Sequence, residues 1–289
     1  MKVQTKKNIE RKKRKIDEVF YKDEIPLFSF VELNINETCN RSCKFCPRSD
    51  PKIYPNQNLH MGPDVFEELS RQLQEIDFKG IINISGTGEP LMTKHVNDIV
   101  RSFGEKDLHI ELVTNGDVLT RKNGKETLKN LFQSGLKQIV VSLYDGPDQV
   151  DFFDKLFKEC DIEKDLYTLR DRWYDEKEEF GLLYTNRAGF IKDYVEKFET
   201  SPCYYTHYAI FVDWNGDILL CSQDMYNRTV KFGNIRENNI LQIWNDPKMM
   251  EFRKKLLTGD RSESPCNKCN ANGRIFGQKH AEAWTKKCS

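Results

Sequence analysis

The chain has no long apolar run, and nothing in its 289 residues approaches the roughly 20 consecutive apolar residues that span a bilayer. It also lacks an apolar stretch behind its basic start, so the N-terminus does not read as a secretory signal. Net charge is missing too: 45 Lys plus Arg face 45 Asp plus Glu, which removes the global basic field of a nucleic-acid binder. There is no internal repeat and no low-complexity segment. The five histidines are scattered, and packing or surface roles are expected for each, including His207. These absences leave a cytoplasmic globular protein of one large domain, or a large and a small one, with no membrane span and no nucleic-acid partner expected.

What the chain does have is cysteine. Nine cysteines outside any export context argue for metal ligation in a reducing compartment rather than for disulfides. The charge balance has one local exception, Lys6, Lys7, Arg11, Lys12, Lys13, Arg14 and Lys15. This cluster, in a basic extension spanning 1–29, is read as a solvated helix or tail, with phosphate or anionic lipid as the alternative contact.

Cys39, Cys43 and Cys46 stand in CxxxCxxC spacing beyond the strand-like run Phe30 to Asn36. Three thiolates can hold three irons of a 4Fe-4S cluster and leave the fourth open, whereas a closed zinc site wants four ligands. Here the sequence resembles the radical S-adenosylmethionine (radical SAM) superfamily. Gly86-Thr87-Gly88-Glu89-Pro90, after a second strand-like run, is similar to that family's glycine-glycine-glutamate-proline loop with one residue inserted. The resemblance implies that Phe45 packs near adenine and that Gly86, Gly88, Glu89 and Pro90 receive the methionine part, with Glu89 accepting from its ammonium. It also places Asn115 near the ribose and Ser142 at the polar end of the next strand.

Helical periodicity runs between these strands, from Gly62-Pro63 through Phe66, Leu69, Leu73 and Ile76. It returns at Val96, Ile99, Val100 and Phe103, then at Leu128, Leu131 and Phe132. Alternating strands and helices imply an α/β fold with a parallel sheet. The resemblance makes it a partial (β/α)6 barrel over 30–195.

A second constellation follows in 196–289: Cys203, Cys221, and Cys266-Asn267-Lys268-Cys269. Asn215-Gly216 between two apolar runs predicts a tight hairpin, and Ile240 to Leu256 reads as a helix returning toward the last pair. Spacing alone allows zinc or iron-sulfur. The order of elements is similar to the SPASM/Twitch domain of radical SAM enzymes, which implies a small hairpin/helix domain with one auxiliary 4Fe-4S cluster. Cys160 and Cys288 remain; a buried structural thiol is expected of Cys160, with hydrogen-atom donation as its alternative.

The combined resemblance implies an oxidoreductase with S-adenosyl-L-methionine and two 4Fe-4S clusters, oxidising a carbinol carbon of a sugar, cyclitol or similar small polyol. Flavodoxin or ferredoxin is the expected electron donor. Arg187, in Asn186-Arg187-Ala188-Gly189, is the candidate catalytic residue, with a structural tie of the linker as its alternative. The rival functions are peptide modification, epimerisation, and a zinc-stabilised adaptor. About 30 residues before the first strand are too few for a peptide-recognition domain.

Overall fold

The structure, a computed structural model, describes residues 3–173, 185–191 and 200–288. Helix α1 (Val3–Ile16) and a small hairpin of β1 (Tyr21–Lys22) and β2 (Ile25–Pro26) precede the main sheet. Strands and helices then alternate: β3 (Phe30–Asn34), α2 (Pro63–Glu75), β4 (Ile81–Ser85), α3 (Val96–Gly104), β5 (His109–Thr114), α4 (Gly124–Gln133), β6 (Gln138–Leu143), α5 (Asp148–Glu159) and β7 (Tyr167–Asp171). Helix α2 begins as the sequence suggests, with Gly62 capping and Pro63 in the first turn, where its missing N–H costs nothing.

Strands β3 to β7 run parallel in chain order. A partial (β/α)6 barrel implies a sixth strand before Asn186, and residues 174–184 there lie outside the described residues. On the free side of β3 the sheet is continued by β8 (Ala209–Val212), which follows the short helix α6 (Tyr205–Tyr208) and pairs parallel with β3. Two antiparallel strands complete it, β9 (Asp217–Leu219) and β10 (Lys231–Asn234), giving the order β10-β9-β8-β3-β4-β5-β6-β7. The predicted hairpin therefore extends the same sheet. The single helix expected beyond it is two, α7 (Ile240–Trp244) and α8 (Pro247–Leu257), because Asp246 caps the N–H groups of Lys248 and Met249 and Pro247 cannot continue a helix. The last helix is α9 (Gln278–Cys288).

Strand alternation separates the two faces of the sheet. Val31, Leu33, Ile82, Ile84, Ile110, Leu112, Ile139 and Val141 belong to the main apolar core with residues of α2 to α5. Glu32, Asn83, Ser85, Ser142 and Arg170 line a cavity on the other side. Closed (β/α)8 barrels fill their interior with layers of branched apolar side chains. This one keeps a polar interior, which a packing role does not explain.

Helix α1 is solvated over most of its basic cluster, as expected, with Lys6, Lys7, Lys13, Arg14 and Lys15 exposed. Arg11 and Lys12 differ by turning inward, and Asn8, Ile9, Lys12 and Ile16 form part of the cavity wall. Arg11 donates from both terminal nitrogens to the fully buried Glu111 (2.6 and 2.9 Å), and Lys12 lies 3.5 Å from the same carboxylate while donating to Asn83. Burial alone would raise the Glu111 pKa, but Lys12, Arg11 and His109 outweigh it and hold the carboxyl well below its usual range. A depressed carboxylate contributes stability above its unfolded pKa of about 4.5 and loses it as the pH falls further. Glu111→Gln is therefore expected to cost about 3 kcal/mol at pH 7, near the low end for breaking a buried pair because Arg11 is partly exposed. Urea unfolding measures this, and the gap to the parent protein should narrow below pH 4; equal stability at pH 7 would refute the role of Glu111 as the anchor of α1.

Candidate active site

Cys39, Cys43 and Cys46 lie on the loop between β3 and α2, each partly exposed on the wall of a cavity of about 410 Å³. The loop is tightly held. Asn56 accepts from the Cys39 N–H (3.0 Å) and donates to its carbonyl (2.9 Å), and the Cys46 N–H donates to the Cys43 carbonyl (2.9 Å). Arg41, between the first two cysteines, grips Asp117 beyond β5 (2.5 and 2.7 Å) and Asp145 beyond β6 (2.6 and 2.8 Å). Its guanidinium also sits over the Tyr144 ring, which neighbours that of Phe45 at 5.6 Å.

Burial, and then the neighbouring Cys46, push the Cys43 thiol up to about 11; burial raises Cys39 as well. Thiols so placed give up their protons to a metal centre that supplies the missing positive charge. Three thiols on the wall of one cavity would hold three irons of a 4Fe-4S cluster.

The glycine loop follows β4. Gly86 has φ 121°, and a Cβ there would fall 2.3 Å from Asn34 Oδ1; a Cβ on Gly88 would fall 1.9 Å from Asn36 Oδ1. Both positions need glycine for the loop to pack on the end of β3. Glu89 is buried and accepts from the Thr114 hydroxyl (2.6 Å), the Asn115 N–H (2.8 Å) and the Leu91 N–H (3.1 Å). Its pKa is nevertheless pushed up to about 7, because burial outweighs those three donors. Phe45, Gly86, Gly88, Glu89, Asn115 and Ser142 all line the cavity. Pro90 is not among the lining residues: it opens a short 3-10 turn, 90–92, that Glu89 caps. Ser142 accepts from Arg170 Nη2 at 3.1 Å.

The four C-terminal cysteines converge as their order suggests. Cys203, Cys221, Cys266 and Cys269 line one small cavity whose other walls include Leu220, Leu256 and Ala271. Burial, then Cys203, push the Cys266 thiol up to about 12, and Cys221 is raised well above its ordinary value. Arg261 lowers the Cys266 and Cys269 values, and its Nη2 is buried without a partner. A Cβ on Gly273 would fall 2.3 Å from Cys203 Sγ. Four thiols on one small cavity, with one cation and the apolar Leu220, Leu256 and Ala271 beside them, fit a fully ligated iron-sulfur cluster.

The segment 186–189 hooks onto this site. Asn186 is fully buried, donates to the Lys268 carbonyl (2.6 Å) and exchanges hydrogen bonds with Asn270. Arg187, Ala188 and Gly189 all have positive φ. Asn186 ties the linker to the C-terminal CxxC loop, and Arg187 lines the large cavity with its guanidinium 5.9 Å from the Tyr226 ring. Tyr205 and Gln223 line both cavities, so they form the wall between the two cysteine sets. Cys160 is buried in the apolar core, its Sγ 3.9 Å from the Lys125 carbonyl, and is absent from the cavity lining.

Sequence reasoning missed the residues that hold these parts together. Glu37 accepts from Arg48 (2.9 Å), Tyr54 (2.8 Å), Asn34 (3.0 Å) and Arg228, and Arg228 also donates to Asp213 (2.5 Å). Glu37 and Arg48 flank the cysteine motif, the only local signal; Arg228 carries none.

Two family profiles match the chain. One, described as the radical SAM superfamily, spans residues 33–170, and the other, SPASM, an iron-sulfur cluster-binding domain, spans 203–270. The S-adenosyl-L-methionine-dependent 2-deoxy-scyllo-inosamine dehydrogenase of Niallia circulans is 30% identical over 250 residues, 84% of this chain and 93% of that protein. The crystal structure of BtrN in complex with AdoMet and 2-DOIA superposes with a TM-score of 0.72 at 28% identity, covering 88% of this chain and 98% of the other. A structure of BtrN in an open conformation gives 0.63 at 26% identity, covering 88% and 97%. With both cysteine sets gathered at cavities and both profiles matched, the chain belongs to the radical SAM superfamily, as an enzyme with a C-terminal SPASM iron-sulfur domain and a dehydrogenase homologue.

Proposed function

We propose that this enzyme oxidises a carbinol carbon of a sugar, cyclitol or related small polyol to a carbonyl. The observation that carries the reading is the shared wall: Tyr205 and Gln223 face both the cavity of Cys39, Cys43 and Cys46 and that of the four C-terminal cysteines. Converting a carbinol to a carbonyl removes one hydrogen atom, one proton and one electron. An enzyme that needs a way out for that electron gains from a second redox site one side chain away. The relative named for 2-deoxy-scyllo-inosamine supports the same chemistry, and a cavity of about 410 Å³ is in the range of small-molecule sites.

With its cofactors bound, the first site supplies a 5'-deoxyadenosyl radical able to take a hydrogen atom from an unactivated carbon. Cys39, Cys43 and Cys46 would hold that cluster, and Glu89 would accept from the ammonium of S-adenosyl-L-methionine. Arg170, braced by Ser142, would take its carboxylate; Asn115 would meet the ribose, and Phe45 with Tyr144 would frame the adenine. Arg187 orients the substrate hydroxyl and stabilises negative charge on oxygen as its proton leaves, since guanidinium stays charged and presents a fixed fork of donors. A flavodoxin or ferredoxin is the proposed reductant.

Three outcomes test this. Anaerobically reconstituted protein should hold about eight irons, twice the four of one cluster. Alanine at Cys203, Cys221, Cys266 and Cys269 should halve that and abolish ketone product while slow release of 5'-deoxyadenosine continues. Alanine at Cys39, Cys43 and Cys46 should end 5'-deoxyadenosine release altogether, and any release from that variant would refute the assignment of the first site.

Because the Glu89 carboxyl titrates near 7, it must shed a proton before receiving an ammonium. Affinity for S-adenosyl-L-methionine, measured by calorimetry on cluster-loaded protein, should rise severalfold from pH 6 to 8 and then level. In Glu89→Gln it should be weaker and flat, and unchanged affinity would remove Glu89 from the site. Arg187→Lys should keep both clusters and the melting temperature but lower product formation tenfold or more, about 1.4 kcal/mol of barrier. Normal turnover in that variant would end its catalytic assignment.

A further inference from the structure

The large cavity holds more positive charge than this reading uses. Its lining includes Lys12, Arg41, Arg170, Arg172 and Arg187 against Glu32 and Glu89. Arg41 is neutralised by Asp117 and Asp145, and Lys12 lies against Glu111. Glu89 and Arg170 are assigned to the two ends of the methionine group, and Arg187 to the reacting hydroxyl. Arg172 has no assignment.

Arg172 stands just past the end of β7, two residues beyond Arg170, so strand alternation brings both side chains to the inner face. Its backbone is fixed by the N–H bond to the Leu143 carbonyl (2.9 Å). Its Nε is sealed from solvent and has no acceptor, and the same is true of Arg170 Nε. Burial, then Arg170, lower its pKa; Tyr144 opposes them, Arg187 lowers it further and the adjacent Asp171 has the smallest effect. Among the described residues no ion pair engages it. Arg172 is partly exposed on the cavity wall with its Nε sealed and unpaired among the described residues, so an anion entering the cavity can complete it. A guanidinium fork matches a planar carboxylate or a phosphate with two parallel hydrogen bonds.

We propose that the substrate carries an oxyanion, a carboxylate or a phosphate monoester, and that Arg172 seats it at the β7 side of the cavity. The inference rests on the polyol-oxidation reading for the rest of the substrate but concerns a different part of it. It makes the substrate an acidic or phosphorylated sugar or cyclitol rather than a neutral or purely cationic one.

The test uses cluster-loaded protein saturated with S-adenosyl-L-methionine under nitrogen, titrated calorimetrically with D-glucose, D-glucuronate, D-glucose 6-phosphate and inorganic phosphate. At least one anion should bind tenfold or more tightly than glucose, and the better of the two hexose anions identifies carboxylate or phosphate. That preference should weaken at higher salt. Arg172→Gln should lose the preference at least tenfold while keeping both clusters, the melting temperature and the affinity for S-adenosyl-L-methionine, and Arg172→Lys should restore part of it. No preference for any of the anions overturns the proposal, and so does an equal preference in Arg172→Gln. A fall in cofactor affinity in place of anion affinity also overturns it, by assigning Arg172 to S-adenosyl-L-methionine. Oxidation is scored separately as ketone formed. An anion that binds through Arg172 and stimulates 5'-deoxyadenosine release without ketone would sink the dehydrogenase reading and leave the anion site standing.

Discussion

One buried carboxylate ties the loop of the first three cysteines to the extension of the sheet. Glu37 is 2% exposed and lies between Arg48, from the loop that carries the first three cysteines, and Arg228, from the segment between β9 and β10. Arg48 also donates to the Thr87 carbonyl (2.8 Å), and Arg228 to Asp213 at the hairpin turn. One charge thus positions the cluster loop, the glycine loop and the extension of the sheet. Taking Glu37 out of water is repaid only when its donors are all in place, so the arrangement tolerates little sliding of one part against another. Electron transfer between two centres needs that kind of fixed separation. Asn34 strengthens the tie, since its amide donates to both Glu37 and Asp213 while its oxygen accepts from the Thr87 N–H.

The polar interior is the second constraint. Every inward strand position that carries Glu, Asn, Ser or Arg in place of a branched apolar residue gives up packing energy, and α1 offsets part of this by bringing Arg11 and Lys12 onto Glu111. The same helix walls off the cavity beside β7 and the starts of the central strands. Radical chemistry on an unactivated carbon benefits from such a wall, because water and stray hydrogen donors stay out while the substrate carbon is held in place. The arginines of β7 then face a space whose other walls are largely balanced in charge.

Some features were legible because they are local. Pro63 begins a helix because of its own ring, and Gly216 accepts φ 85° in the hairpin turn because it has no side chain. Others were misjudged because a distant partner decided them. Arg11 and Lys12 look as solvated as the exposed basic residues beside them until Glu111 is found opposite, 100 positions away from Arg11. Pro90 belongs to the motif but serves the turn behind it, and Asn186, an unremarked neighbour of Arg187, is the residue that hooks the linker onto the CxxC pair.

By itself the sequence placed the cysteine sets and the alternation of the sheet. Three thiols within eight residues of one loop stay near one another whatever the path of the rest of the chain, and period-two patterning decides which strand face is apolar. Tertiary structure alone decided which carboxylate each arginine meets. Arg228 pairs with Glu37 across 191 positions and Arg41 with Asp145 across 104. It also decided that Tyr205 and Gln223 line the cavities of both cysteine sets and that Arg172 forms no ion pair among the described residues. The reason is physical: ligand spacing is set by covalent geometry over a few residues. The pairing of buried charges depends on which segments the folded backbone brings within about 3 Å, and no local pattern encodes that.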